Sequence, residues 1–229
     1  MKIKPVYPKY LPSFLRPGWK LSKKINALIS SLLNEKQIQQ LDNLEGQLHF
    51  REGATLFYFA YTSSKISGRI VEIGSYKGKS TCWMGKALQF ANSNEKIIAI
   101  DPHINTHDPR VPVYKEESSF EDFKNNLKNC GVLGYVEPIK KTSIDAAKNW
   151  NQPIKLLFID GSHLYDDVML DLKIWEPRVN IGGVIVMHDT KSTGPNVGAH
   201  LAMVDYVRKS GRFKNLLLLR NMSCFKKIK

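Results

Sequence analysis

Apolar residues along this chain follow two different spacings. From residue 69 onward, short β-branched runs alternate with segments whose apolar positions recur at helical spacing. The runs are GRIVEIG, KIIAID, GYVEPI, IKLLFID and GGVIVMHD, and in the intervening segment STCWMGKALQFA the residues Trp83, Ala87 and Phe90 share one helical face. Such alternation is typical of βαβ units, so it predicts an α/β fold with a mostly parallel sheet covered by helices.

The N-terminal part of the chain has a different character. Its first 20 residues contain four prolines and several aromatic residues, which favours an extended arm over a helix. Helical patterns follow in SKKINALISSLLNEKQIQQL and EGATLFYFAYTSSK, and two strand-like runs, NLLLLR and SCFKKI, close the chain. We therefore divide the chain into a basic arm with a helical extension, residues 1–50, and a main domain, residues 51–229.

The charge of the chain is unevenly distributed. The formal net charge is +13 over 229 residues, and residues 1–34 carry seven Lys or Arg and no acidic residue. No arginine-rich stripe interleaved with aromatic residues is present, so we expect no specific nucleic-acid partner. The basic arm instead favours weak contact with an anionic membrane surface or with a protein partner.

The cysteines and the N-terminus indicate the compartment. Cys82, Cys130 and Cys224 are odd in number and unclustered, which argues against a disulfide framework or a zinc site. No apolar run approaches the roughly 18 residues of a membrane span. The N-terminus also lacks the apolar core of a secretory signal. Together these features predict a cytoplasmic protein.

The stretch EIGSYKGKS, residues 72–80, raises the question of a phosphate-binding loop. A P-loop needs Gly, four residues and then Gly-Lys-Ser or Gly-Lys-Thr, which here requires glycine at position 73. That position holds Ile73, and the glycine comes one residue later at Gly74. A P-loop nucleotide-binding protein, such as an NTPase or kinase, therefore stays as an alternative and not as the main hypothesis.

Acidic residues stand at the ends of the predicted strands. Glu72, Asp101, Asp160 and the pair His188-Asp189 each lie where a strand-like run finishes. Open α/β sheets bind ligands beyond the carboxyl ends of their strands, so these side chains should line one pocket. An acidic pocket is poorly suited to a triphosphate without metal, and it favours a ligand with hydroxyl groups and a positive charge.

The turn after the first strand carries the first family resemblance. Gly74 and Gly78 have no Cβ and let this turn pass close to a ligand. Asp101 follows Gly74 by 27 residues, in the second strand, where an acid can accept hydrogen bonds from both hydroxyls of a ribose. The pattern Glu-x-Gly-x-x-x-Gly with this second acid resembles the class I S-adenosylmethionine-dependent methyltransferases.

The stretch from 154 to 190 carries a set of spaced motifs: Asp160-Gly161-x-His163-x-Tyr165, Asp171-Leu172, Trp175-x-Pro177, Gly182-Gly183 and His188-Asp189. With these motifs it resembles a bacterial subfamily of small O-methyltransferases, which includes enzymes that methylate sugar hydroxyls in antibiotics and relatives associated with cephalosporin biosynthesis. The resemblance implies a Rossmann-like, doubly wound, mostly parallel sheet of about seven strands, with 51–229 as the cofactor-binding domain. It also implies methylation of a hydroxyl on a sugar or small natural product.

The same resemblance implies a set of site residues. S-adenosylmethionine would be bound by residues that follow the first four strands: Glu72, Gly74, Ser75, Gly78, Ser80, Asp101, Thr142, Ser143 and Asp160. Several relatives also hold a divalent metal, which implies Mg²⁺ bound here by Asp160, His188 and Asp189. That metal would orient the acceptor and lower the pKa of its hydroxyl.

Two residues are candidates for catalysis. His163 is a candidate general base because an unperturbed imidazole titrates near physiological pH, and a structural histidine bonded to a neighbouring carbonyl is the alternative. Asp160 is the second, with a helix N-cap as its alternative. His188 also fits a buried, satisfied histidine, and Glu52 is a candidate for approach to the sulfonium. We expect a small-molecule or glycan acceptor and a homo-oligomer; a catalytically inactive binding module stays an alternative.

Overall fold

A computed structural model describes residues 18–63, 66–104, 118–191, 193, 197–219 and 221–229. The extended arm predicted for the first 20 residues lies mostly outside this part of the chain. Within the described residues, no helix combines the length and the apolar character that a membrane span requires.

Strands and helices alternate as the sequence predicts. The helices are α1 (Trp19–Leu32), α2 (Glu35–Asp42), α3 (Phe50–Thr62), α4 (Lys79–Phe90), α5 (Phe120–Asn129), α6 (Ser143–Ala147), α7 (Tyr165–Trp175) and α8 (Val197–Ala202), which continues as a π-helical turn, Met203–Arg208. The strands are β1 (Arg69–Ile73), β2 (Ile97–Ile100), β3 (Val136–Ile139), β4 (Ile154–Ile159), β5 (Val179–His188), β6 (Phe213–Leu218) and β7 (Met222–Lys227).

The strands form one seven-stranded sheet in the order β3-β2-β1-β4-β5-β7-β6. The first five strands are parallel, and β7 runs antiparallel to both β5 and β6. This confirms the predicted Rossmann-like α/β fold with a mostly parallel sheet. The chain moves outward from β1 to β3 and then returns to β4 on the other side of β1. Ligands of doubly wound folds bind at such a reversal, beyond the carboxyl ends of the two strands.

Helices cover both faces of the sheet, so the central strands are buried on both sides. Alternate residues of β4 point to opposite faces: Phe158 packs in the cluster that contains Trp83 of α4, and Leu157 in the cluster that contains Trp175 of α7. Both tryptophans are completely buried. Double burial explains why LLFI, residues 156–159, is a continuous apolar run and not an alternating one.

The helical extension differs in one respect from the sequence pattern. The continuous helix read from residues 22–41 is divided into α1 and α2, because Asn34 starts a new helix. Its side chain accepts the N–H of Gln37 at 2.9 Å, and the Gln37 side chain accepts the N–H of Asn34 at 3.0 Å. This reciprocal capping box satisfies two donors that a helix start leaves open. The boundary placed at residue 50 stays a prediction.

Candidate active site

The turn from β1 to α4 is tightly constrained. Gly74 and Gly78 have φ angles of 86° and 83°, and Tyr76 has the unusual value of 44° for a residue with a side chain. A Cβ added to Gly74 would lie only 2.3 Å from the carbonyl oxygen of Asp160 on the neighbouring strand end. Glycine is therefore required at 74 both by its left-handed backbone and by the close approach of β4.

Glu72 lies beneath this turn with no exposed surface. Its carboxylate accepts hydrogen bonds from the hydroxyls of Ser80 and, at 2.5 Å, Thr81, both in the first turn of α4. Burial raises the pKa of Glu72 to about 8 in spite of these bonds, and the nearby Asp160 and Asp101 add to the effect. Glu72 and Ser80, both predicted to bind cofactor, thus brace the turn together; contact with a cofactor stays a prediction.

Asp101 ties the end of β2 to the same turn. Its carboxylate accepts the backbone N–H of Tyr76 at 2.8 Å and that of His103 at 2.7 Å. Each carboxylate oxygen keeps a second lone pair, and the side chain is 14% exposed. The predicted role of Asp101 in holding ribose hydroxyls therefore remains chemically open, while its bond to Tyr76 fixes the backbone of the turn.

Thr142 and Ser143 begin α6 at the end of β3. The Thr142 hydroxyl oxygen accepts the N–H of Asp145 at 3.1 Å and caps the helix. Ser143 donates to Asp171 of α7 at 2.5 Å. Burial raises the pKa of Asp171 to about 6, and the bond from Ser143 opposes that rise. Thr142 and Ser143, both predicted to bind cofactor, therefore have structural partners at the end of β3. Their contact with a ligand stays a prediction.

The ends of β4 and β5 bring four polar side chains together. Nδ1 of His188 lies 3.2 Å from the Asp160 carboxylate and 3.3 Å from that of Asp189. The other oxygen of the Asp189 carboxylate accepts from Asn221 at 2.8 Å. Nε2 of His163 lies 2.7 Å from Asp189 Oδ2. The positive φ of Asp189, 52°, turns its side chain into this cluster at the point where the strand ends.

A fifth member of the cluster comes from α3. The carboxylate of Glu52 lies 3.2 Å from Nε2 of His188, and it also accepts the N–H of His49 at 3.0 Å. Burial by itself would lower the pKa of His188, but Asp160, Asp189 and Glu52 outweigh it and raise that pKa well above its ordinary value. Glu52 thus reaches the site through His188. The only sequence signal for this contact is an acid in the otherwise apolar helix EGATLFYFA.

The donor atoms of Asp160, His163 and Asp189 all lie within 4.8 Å of one another, which is the spacing of a metal site. His188 is not a member of this set, and its predicted role as a metal ligand stays a prediction. Three carboxylates surround its ring and favour the imidazolium form, in which both nitrogens carry protons and neither has a lone pair for a metal. The alternative reading of His188, a buried and satisfied histidine, fits this geometry.

A family model described as a methyltransferase domain matches residues 71–190, from the middle of β1 to the end of β5, with Asp160, His163, His188 and Asp189 inside the match. The chain belongs to this methyltransferase family. Membership confirms the class I methyltransferase resemblance, and it removes the P-loop alternative raised by Gly78-Lys79-Ser80. The residues of the match include Gly74, Asp101 and Asp160, although the match itself assigns no role to them.

Other comparisons place this methyltransferase domain among known sequences and structures. An uncharacterized protein, R132 of Acanthamoeba polyphaga mimivirus, is 32% identical over 148 residues, which are 62% of this chain. The chain spans less than two thirds of the length of the curated relatives it matches, 59% of R132 and 16% of another.

Solved structures share the fold at low sequence identity. The O-methyltransferase NovP superposes with a TM-score of 0.68 at 15% identity, covering 92% of this chain and 98% of NovP. An O-methyltransferase from Bacillus cereus in complex with S-adenosylhomocysteine (SAH) has a TM-score of 0.63 at 14% identity, covering 90% of this chain and 97% of that one. The seven-stranded methyltransferase fold predicted from the sequence is therefore confirmed.

Replacing Gly74 with alanine tests the turn. We expect Gly74→Ala to lose more stability than the matched variant Gly211→Ala, in urea unfolding followed by circular dichroism. Both positions have positive φ, and this strain costs an alanine about 1–2 kcal/mol. Only at Gly74 does a Cβ also meet backbone, since nothing lies within 4 Å of that position at Gly211. Equal losses in the two variants would contradict the crowding argument.

Glu72 should make stability fall as pH rises. Its pKa is about 8 in the folded protein against an ordinary value of 4.5, so the folded state holds a proton that the unfolded chain releases. Between these values each pH unit removes up to about 1.4 kcal/mol of stability. We expect urea unfolding to show this decline in the wild type, and a shallower decline in Glu72→Gln. Parallel pH profiles for the wild type and Glu72→Gln would show that Glu72 is not the cause of the decline.

Proposed function

We propose that this protein transfers the methyl group of S-adenosylmethionine to a hydroxyl of a sugar or other small natural product. Family membership and the fold support the reaction class. The acceptor class is supported by the resemblance of residues 154–190 to enzymes that methylate sugar hydroxyls. The acidic cluster at the strand ends is consistent with a polyhydroxylated acceptor beside a positively charged donor.

The observation that carries the proposal is an unsatisfied hydroxyl group in the turn after β1. The hydroxyl oxygen of Ser75 is buried and has no hydrogen-bond partner among the described residues. It follows Gly74, whose missing Cβ lets the turn pack closely against the end of β4. A buried donor without a partner is costly, so a polar ligand that reaches this turn would satisfy it. Gly74, Ser75 and Asp101 would thus hold the methionine and ribose parts of the cofactor.

His163 and Asp189 act on the acceptor. When bound, S-adenosylmethionine would supply an electrophilic methyl group to the acceptor oxygen and leave as S-adenosylhomocysteine. His163 donates Nε2–H to Asp189, so its other ring nitrogen carries the lone pair that takes the acceptor proton. Burial would raise the pKa of Asp189, but bonds from His163 and His188 hold it well below its ordinary range. Asp189 therefore stays ionised and orients the base.

The same cluster fits a divalent cation. Glu52, Asp160 and Asp189 with the imidazolium of His188 leave two negative charges uncompensated. Mg²⁺ prefers oxygen ligands, so Asp160 and Asp189 would hold it, and His163 would keep its lone pair as base. A cation at this place would orient the acceptor oxygen and lower the pKa of its hydroxyl.

Calorimetric titration with S-adenosylhomocysteine tests the cofactor assignment. We expect micromolar binding of this product and no binding of Mg-ATP. Asp101→Asn should weaken the affinity roughly 10- to 100-fold, because it removes charge from an acceptor of ribose hydroxyls. The control is Glu137→Gln on β3, which makes the same charge change at an exposed position. Unchanged affinity in Asp101→Asn, or loss in both variants, would overturn the ribose role of Asp101.

A methyl-transfer screen with glycosides and phenols then tests the reaction itself. Binding of the cofactor product without turnover of any acceptor would favour the inactive binding module over the enzyme. Transfer to a glycoside hydroxyl would establish the acceptor class.

Metal removal distinguishes two ways of activating the acceptor hydroxyl, a bound cation and the His163–Asp189 pair. We expect treatment with EDTA to lower the transfer rate by roughly tenfold or more, and added Mg²⁺ to restore it, because the cation stabilises the developing alkoxide. S-adenosylhomocysteine affinity should be unaffected and serves as the control for intact folding. An unchanged rate after chelation would leave the His163–Asp189 pair as the source of activation and would refute the metal role of Asp160.

A further inference from the structure

The net positive charge of the chain is concentrated in its two terminal segments. Residues 1–34 hold seven Lys or Arg, residues 206–229 hold eight, and neither segment contains an Asp or Glu. All 21 acidic residues therefore lie between the two segments, together with the other 19 of the 34 basic residues. The middle of the chain is slightly acidic, and the ends supply the whole of the excess of +13.

The fold brings the described parts of these two segments together. Helix α1 packs against α3 and against β6, the last strand at one edge of the sheet. The contact is close at the start of the helix: a Cβ on Gly18 would lie 2.6 Å from the Leu217 side chain and 2.9 Å from the carbonyl oxygen of Leu216. Lys20 and Lys24 of α1 therefore lie on the same face as Lys214 of β6.

A groove of about 590 Å³ lies between α1, α3 and β6. Lys20, Lys24 and Lys214 line it with the aromatic rings of Trp19 and Tyr58. The three lysines are exposed, and the described residues that line the groove include no acid. The groove thus joins several positive charges to amphipathic aromatic side chains, at an edge of the sheet distant in the strand order from the β1–β4 reversal.

We propose that this groove, which we call the α1–β6 groove, docks the protein on anionic lipid headgroups at a membrane surface. Lysines near a bilayer bind acidic headgroups, and Trp and Tyr favour the boundary between water and hydrocarbon. Nucleic acid fits less well, because single strands need open aromatic faces for base stacking. The amine of Lys23 lies 3.9 Å from the centre of the Trp19 ring and covers one of its faces.

Vesicle sedimentation with the full chain tests this proposal. We expect binding to vesicles of equimolar phosphatidylcholine and phosphatidylserine, weaker binding as salt rises, and none to pure phosphatidylcholine. Each lysine at the surface contributes about fivefold in partitioning, so the triple variant Lys20→Gln, Lys24→Gln, Lys214→Gln should bind roughly a hundredfold more weakly. Brominated lipid should quench tryptophan fluorescence less in Trp19→Phe than in the wild type.

The matched control removes the same charge elsewhere. Lys96, Lys128 and Lys173 are exposed and lie outside the groove, and their combined replacement by Gln should leave most of the binding intact. Equal losses in the two triple variants would show that net charge alone drives adsorption, which overturns the proposal. Binding of a single-stranded oligonucleotide but not of vesicles would overturn the proposal as well. So would self-association through the groove, which would appear as a concentration-dependent mass that the triple variant at Lys20, Lys24 and Lys214 abolishes.

Discussion

One buried imidazolium holds the candidate site together. Glu52, Asp160 and Asp189 come from a helix and two different strand ends, and without a cation between them their mutual repulsion would push these elements apart. His188 contacts all three and offsets one of their charges. Removing one partner from a buried ion pair typically costs 3–5 kcal/mol, so His188 adds to the packing that holds α3 beside the ends of β4 and β5.

Residues with a left-handed backbone conformation lie around that site. The described residues include four non-glycine residues with positive φ, and three of them, Tyr76, His103 and Asp189, follow β1, β2 and β5 at the carboxyl edge of the sheet. Such conformations persist where surrounding bonds over-determine them. Asp101 supplies these bonds to two of the three, through the backbone N–H groups of Tyr76 and His103. Asp101 therefore fixes the backbone after β1 and after β2 without help from a ligand.

Much of the fold could be predicted from the sequence, because apolar periodicity is local and the βα alternation is long. The strand ends were also predictable: parallel strands share a carboxyl edge, so Asp101 and Asp160 had to lie near one another. The pairing of Glu52 with His188 was not predictable, because 136 residues separate them and an acid in an apolar helix does not identify its partner. Which contacts His163 and His188 make with Asp160 and Asp189 depends on the backbone turn at Asp189, which periodicity does not encode.

The separation of charge along the chain has a kinetic consequence. The sequence has a slightly acidic middle and two basic ends, so its charge is unevenly distributed as well as positive overall. If the α1–β6 groove docks on anionic lipid as proposed, encounters with such a surface would begin at that edge of the sheet, and the acid-rich ends of β1, β4 and β5 would face elsewhere. An acceptor held on the same surface would then be found by lateral diffusion in two dimensions, and the order of encounter and catalysis would be set by orientation rather than by affinity.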